Sequence, residues 1–430
     1  MRMTDKHRFC AIAAAAMMLC CQACGDNADI LATKGKLAYD KGDYPAAVEL
    51  LTQAAEKGSD QAMFLLGQCY AKGLGVKASE NKAFQLFEDA AAAGIGEAKT
   101  ELAKCYLTGT GVLADKVRGR DLMKESARSG SAEARATVAL WILDNQVDMP
   151  LDTAIAYIKT SVDQGNALGH FAQGRLLAEG VETKWDMKSA AEQYKLADEG
   201  GSPEGTVALA YCYYTGSGVP RDTEKAFSLF EKASKAGSPA GTVGMGMCYY
   251  EGKGVPMNHG KAVNCFKAAE GKNEPSGQWW LGKCYFYGDG VLKSESKAIA
   301  LYQQAAEQGY APAEFSLAYC YENGVVLPFD RDRALTLYMH SAESGYAPAQ
   351  TNLGILYYKG SLRLVKSPEM AFEWFCRAAE GGDDAAMFNL YKCFYDGIGT
   401  EQDKDAAAIW LKNSADRGNE QAIALLNKMK

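Results

Sequence analysis

The sequence predicts an all-α fold, an α-α superhelix (solenoid) of stacked helical hairpins each about 36 residues long. Three observations carry that expectation. The stretch LLGQCYAKGLGV from Leu65 recurs as ALAYCYYTGSGV from Ala208 and as WLGKCYFYGDGV from Trp280. Glycine is abundant at 44 residues while proline is scarce at 11, which suits many turns separating proline-free helices. Within each repeat the small and apolar residues fall four and three apart, as Ala313, Leu317 and Cys320 do, which is one face of a helix.

The amino terminus comes first. Arg2, Lys6 and Arg8 precede an apolar run from Phe9 to Cys21, and polarity returns at Gln22. This is the pattern of a secretory signal peptide over residues 1–23. The run has 13 residues, short of the ~18 to 20 needed to span a hydrocarbon core, so export is favoured over a spanning anchor. Cleavage after Ala23 suits a small-x-small site, and the stretch resembles in part a bacterial lipoprotein signal with Cys24 as the lipidated residue, although Cys21 stands where such signals usually carry leucine. The expected location is an exported lipoprotein on the periplasmic or cell-surface side, touching the membrane through its lipid. Without lipidation the expectation is a periplasmic or secreted protein.

Residues 24–58 read as a short tether followed by a tetratricopeptide-type hairpin from Gly35. Ten units then run over residues 59–418, beginning at Ser59, Ile95, Ser131, Asn166, Ser202, Ser238, Glu274, Tyr310, Tyr346 and Asp383. Each opens with a helix, passes through a glycine-rich loop such as Gly252 to Val255, and continues in a second helix such as KAFSLFEKASKAG from Lys225. Most close on a glycine that suits a left-handed helix cap, Gly237 and Gly309 among them. One hairpin is too small to bury its own apolar stripe, so stability must come from stacking on neighbours. The third unit has Asn145 to Asp148 in place of the glycine loop and the ninth has Gly360 to Leu364, two places expected to bend the superhelix. Residues 419–430 read as a lone helix capping the exposed apolar end.

The GxGV loop, the acidic or serine residue after it, the KA pair and the closing AAxxG together resemble the Sel-one-like repeat, a relative of the tetratricopeptide repeat, over residues 59 to 418. The resemblance implies an adaptor that assembles or regulates other proteins. Some secreted relatives carry disulfides between the end of one unit and the start of the next, and this sequence has no cysteine pair there.

Charge and chemistry narrow the function. Net charge is −7, and −9 without the first 23 residues, which hold three basic side chains and one acidic, so phosphate-neutralising contact with nucleic acid is disfavoured. Cys69, Cys105, Cys212, Cys248, Cys284, Cys320 and Cys393 share the eleventh position of their units. Adjacent packed helices lie ~8 to 10 Å apart, too far for disulfides between rungs, so these read as small core residues. Cys265 aligns with Leu229 and Cys376 with Glu231, which makes Cys376 the expected exposed thiol. The histidines His7, His170, His259 and His340 form no H-E-x-x-H motif, so no metal or cofactor is implied. Ser79 to Lys82 and Ser294 to Lys297 match the S-x-x-K nucleophile motif, but S-D-N and K-T-G are absent and both serines stand where a second helix begins, where capping explains them. No glycine loop is followed by G-K-[ST], which leaves the loops as hairpin turns.

The surface is more informative. Positions 6, 10 and 13 of the first helix form a stripe beside the core, on the helix that in such repeats lines the concave face. In the later units it holds Tyr211, Tyr214, Met247, Tyr250, Trp279, Phe286, Phe315, Tyr319, Tyr358, Phe388 and Tyr395, with Lys283 and Lys392. Rigid aromatic side chains are favoured binding anchors, and a curved groove could hold a peptide or a partner helix. The other reading is that they fill the superhelix interior. The function expected is a non-enzymatic adaptor for protein or peptide partners; the alternative is a cell-wall-associated glycan-binding accessory or hydrolase.

Overall fold

The computed structural model describes residues 27–181 and 186–429, so the expected signal peptide and Cys24 lie outside the described residues. Among these residues there are helices and no strands. Contacts divide the chain into residues 1–208 and 209–430, and the division falls inside one helix.

In the first part, α1 (27–40) and α2 (Tyr44–Glu56) form the leading hairpin. Four more follow: α3 (Asp60–Lys72) with α4 (Glu80–Ala92), α5 (Gly96–Thr108) with α6 (Lys116–Arg128), α7 (Ala132–Leu143) with α8 (Leu151–Asp163), and α9 (Ala167–Glu179) with α10 (Met187–Glu199). Helix α11 (Pro203–Thr215) contains the division. The second part continues with α12 (Thr223–Lys235), then pairs α13 (Pro239–Glu251) with α14 (His259–Glu270), α15 (Pro275–Tyr287) with α16 (Glu295–Ala306), and α17 (Ala311–Asn323) with α18 (Arg331–Glu343). It ends with α19 (Ala347–Lys359) and α20 (Pro368–Glu380), α21 (Asp384–Asp396) and α22 (Lys404–Asp416), and α23 (Glu420–Met429). Each part is thus a run of stacked hairpins, the expected solenoid class.

Local chemistry sets the hairpin. Ser59, Ser131, Ser238 and Asp383 each accept a backbone N–H with their side chain at the start of a first helix, satisfying a donor the helix leaves free. The first helix then ends on a left-handed glycine, as at Gly73, Gly252, Gly288 and Gly397. In the third unit, without that glycine, Asn145 takes the positive φ (54°). In the ninth, Leu362 and Arg363 do so beyond Gly360.

Packing between units uses small residues. Gly241 and Gly277, fourth in their units, lie where a Cβ would come 2.7 Å from the Cβ of Ala233 or Ala269 on the preceding second helix. Buried Ser341 and Ser414, at the position those alanines occupy, donate to the carbonyls of Ala311 and Asp384 (2.7 Å each), tying the hairpin's end to its start. The eleventh-position cysteines are all buried and free, as the register requires. Cys376 corrects the sequence expectation of an exposed thiol: it is half-buried against the cluster of Ala371, Phe375 and Leu390, and burial pushes its thiol up to about 11. The aligned glutamate is itself only partly exposed, so the alignment carried no signal of solvent access.

Burial likewise pushes Cys105, Cys212 and Cys320 up to about 11 and Cys248, Cys284 and Cys393 up to about 12, from an ordinary 9.0. A folded-state value above the unfolded one means the thiol form stabilises the fold below pH 9, and this contribution is lost as pH rises towards 11 to 12. Thermal melts followed by circular dichroism are therefore expected to be insensitive to these groups from pH 7 to 8.5 and to shift downward above pH 9. Substituting the seven buried cysteines with alanine should flatten that alkaline limb; an unchanged limb would assign it to other groups.

Candidate interaction groove

The stripe of first-helix residues in 209–430 divides into three environments. Tyr214 and Phe388 are buried, at 7% and 9% exposure, and so are withdrawn from the groove expected of them. Tyr211, Met247, Tyr250, Trp279, Lys283, Phe286 and Phe315 are half-buried, and Tyr319, Tyr358, Lys392 and Tyr395 are exposed.

The buried and half-buried members fasten successive units together. Tyr214 Oη donates to Glu251 at 2.7 Å, and Lys253 pairs with the same carboxylate while lying 4.7 Å over the tyrosine ring. One unit on, Tyr250 Oη donates to Asp289 at 2.5 Å. Lys283 sits 5.3 Å from the Tyr250 ring and 4.6 Å from that of Trp280. Trp279 Nε1 donates to Ser316 at 2.9 Å. Tyr211 meets the Met247 sulfur at 3.5 Å, and burial, then Cys248 and Glu274, push its phenol up to about 12. Phe388 packs beside Leu411 and Ala422, with the Tyr391 ring at 5.7 Å and Lys392 above it at 4.3 Å.

At two places where the thirteenth residue makes no such hydrogen bond, a socket opens. Phe286 has no donor, and a cavity of about 340 Å³ lies among Phe286, Tyr287, Tyr302, Phe315, Ser316 and Tyr319. One unit on, Glu322 holds the thirteenth position and accepts from buried Tyr338 of its own hairpin at 2.8 Å. At the junction after that, Tyr358 borders a second cavity of about 340 Å³, shared with Ile355, Lys359, Phe375, Asn389, Lys392, Cys393, Asp396 and Ile398. The two cavities occupy the same register two units apart. The stripe alone missed their floors, Tyr302 and Phe375, which belong to second helices. The signal was available in the recurring second-helix aromatic, Phe266 and Tyr302 among its members, which faces a first-helix glycine.

A larger cavity of about 530 Å³ in 1–208 is polar, lined by Gln68, Glu97, Thr100, Glu101, Ser131, Glu133 and neighbours. Lys104 answers its carboxylates, lying 2.9 Å from Glu101 and 2.6 Å from Glu133. Burial lowers the affinity of that lysine for its proton, but the two glutamates together raise it above the ordinary value.

The S-x-x-K pairs stand at the starts of second helices. Ser294 accepts the N–H of Lys297 as a cap, whereas Ser79 holds the capping position without a side-chain cap bond, a departure from the capping expected of it. Lys82 lies 5.1 Å over the Tyr70 ring and Lys297 5.3 Å over that of Tyr285. Among the described residues no group of three or more His, Cys, Asp or Glu side chains could hold a metal, and no helix is long and apolar enough to cross a membrane.

Comparison with known proteins gives one family. The Sel1 repeat matches residues 34–59, 60–95, 96–131, 203–238, 239–270, 275–310, 311–346, 347–383 and 384–419. Helices α7 to α10 fold as hairpins in the interval those matches omit. Among solved structures, a protective antigen of uropathogenic Escherichia coli with an SLR fold is 29% identical, covering 89% of this chain and 82% of that one, with a TM-score of 0.39. A Sel1 repeat protein from Oxalobacter formigenes is 28% identical over 72% of this chain and 90% of its own, with a TM-score of 0.42. An immunity protein from Pseudomonas aeruginosa is 25% identical over 50% and 81%, with a TM-score of 0.39. A search of curated proteins gives no match.

Proposed function

The chain belongs to the Sel1 repeat family, whose helical solenoid is a protein–protein interaction scaffold fold, and from that premise we propose that it is a non-enzymatic adaptor that binds protein or peptide partners along the first-helix stripe of residues 209–430. The observation that carries this reading is the pair of open sockets edged by exposed Tyr319 and Tyr358, in a stripe whose other aromatics are mostly committed to holding units together. Exposed aromatic rings beside a preformed cavity offer large contact area at small cost in side-chain entropy. We place the adaptor outside the cytoplasm as a lipoprotein anchored through Cys24, on the strength of the basic, apolar and small-residue succession before that cysteine.

The test is a cross-linked pull-down from native extract with the mature chain beside a Tyr319→Ala, Tyr358→Ala, Tyr395→Ala variant, its folding checked by circular dichroism. The wild type is expected to recover a defined protein that the folded variant loses. Recovery of the same protein by both would move the interaction off this stripe. Processing is separately measurable: the purified chain is expected to start at a lipid-bearing Cys24, and a start elsewhere with no lipid mass would remove the anchor while leaving the adaptor reading in place.

A further inference from the structure

Resting on the adaptor reading above, we propose that the two open sockets take one extended peptide, with a bulky apolar side chain in the Phe286–Tyr319 socket and an acidic residue beside an apolar one in the Tyr358–Lys392 socket. Their chemistry differs in a way that selects these anchors. The first is walled by the rings of Phe286, Tyr302, Phe315 and Tyr319, carries no charged group, and suits a large apolar side chain. The second has an apolar floor of Ile355, Phe375 and Ile398 under a rim carrying Lys359 and Lys392 with Asp396, and Lys366 lies 5.7 Å from the Tyr358 ring. None of these three lysines has a carboxylate within 4.0 Å among the described residues. A rim with two cations and one anion, and a third cation beside it at the Tyr358 ring, complements an anionic ligand group.

Spacing links the sockets. They are two units apart, and in the unit between them the thirteenth residue is Glu322, taken up by the Tyr338 hydroxyl of its own hairpin, so a ligand touching both crosses that unit without an aromatic anchor from the thirteenth position. First helices of successive units come no closer than packed helices do, about 10 Å, which puts the sockets at least about 20 Å from each other. An extended chain rises about 3.3 Å per residue, so the two anchors fall at least about six residues apart. Each socket alone is small, and joining the anchors on one chain makes the second contact intramolecular, which raises affinity only when the spacer fits.

The experiment uses fluorescein-labelled synthetic peptides carrying Trp at one end and Leu-Asp at the other, separated by one or by five Gly/Ser residues, with binding read by fluorescence anisotropy. The five-residue spacer is expected to bind at least tenfold tighter than the one-residue spacer, and at least tenfold tighter than the same peptide lacking either anchor. Lys392→Glu should weaken the Leu-Asp peptide and strengthen a Leu-Lys version, while Tyr319→Ala should reduce the five-residue peptide to single-anchor affinity. Affinity indifferent to spacing, or a Lys392→Glu variant with unchanged preference for Asp over Lys, overturns the proposal. The pull-down separates the two failures: a partner lost with the triple tyrosine variant while the peptides show no preferred spacing sinks the two-socket ligand alone, and a partner retained by that variant moves the interaction off the stripe on which this proposal rests.

Discussion

Phe266→Ala is expected to cost about 3–5 kcal/mol locally, among the largest effects available to a single substitution in this chain. Phe266 is fully buried on α14, its ring stacked on Trp280 at 5.4 Å with 12° between the planes. Its Cδ1 and Cε1 atoms lie against Gly246 of α13, where even a Cβ would clash with the ring. Truncation would leave a cavity that a glycine on one side and a rigid indole on the other cannot fill by rotamer change, which puts the cost in the upper range. Phe266→Leu keeps most of the volume and should cost under about 1.5 kcal/mol. Long repeat arrays need not unfold in one step, so the effect is best read by hydrogen exchange. Amides of α13 to α15 should lose protection at least a hundredfold in Phe266→Ala, with α20 to α22 little changed. Loss of protection spread evenly over all helices would contradict nearest-neighbour stacking.

That prediction draws on features legible in the sequence, and the socket proposal draws on features that were not. The hairpin, its glycine loop and its core face could be read because each depends on contacts inside one unit: a cap three residues from its acceptor, a left-handed glycine, apolar residues three and four apart. Exposure along the stripe depends on the next unit. Tyr214 and Tyr358 share the thirteenth position, yet Tyr214 is buried under its hydrogen bond to Glu251 while Tyr358 is 42% exposed beside Lys392. A period places both on one face of a helix but cannot say which has an acceptor waiting 37 residues on. Phe388 was misplaced for the same reason, since Leu411 and Ala422 that cover its surroundings come from α22 and α23. The aromatic floors of the sockets stand on second helices, outside a stripe confined to first helices, although a second-helix ring opposite a first-helix glycine recurs at Gly246, Gly282 and Gly354.

The loop motif itself hides a division of labour that a pair of substitutions would expose. In GKGV the first glycine, Gly252, has φ +69° and caps α13, where a Cβ would stand 3.0 Å from that of Met257 in an exposed loop that can yield. The second, Gly254, has φ +75° and lies against the backbone of the preceding unit, where a Cβ would stand 2.6 Å from the carbonyl carbon of Thr223 and clash with its oxygen. Gly290 repeats the arrangement one unit on, where a Cβ would stand 2.6 Å from the carbonyl oxygen of His259. The second glycine therefore seats each loop on the start of the previous second helix, and GxG is a stacking motif as well as a turn. Gly252→Ala should cost about 1 kcal/mol, the usual penalty for a left-handed residue. Gly254→Ala adds a backbone clash that no rotamer relieves, so its cost should exceed 3 kcal/mol, beyond left-handed strain alone. Because the lost energy belongs to the interface between two units, the thermal transition of Gly254→Ala should broaden or split while that of Gly252→Ala shifts as a whole. Equal effects from the two alanines would mean that both glycines serve only the turn, and that the stacking rests on the small residues facing Ala233 and Ala269 alone.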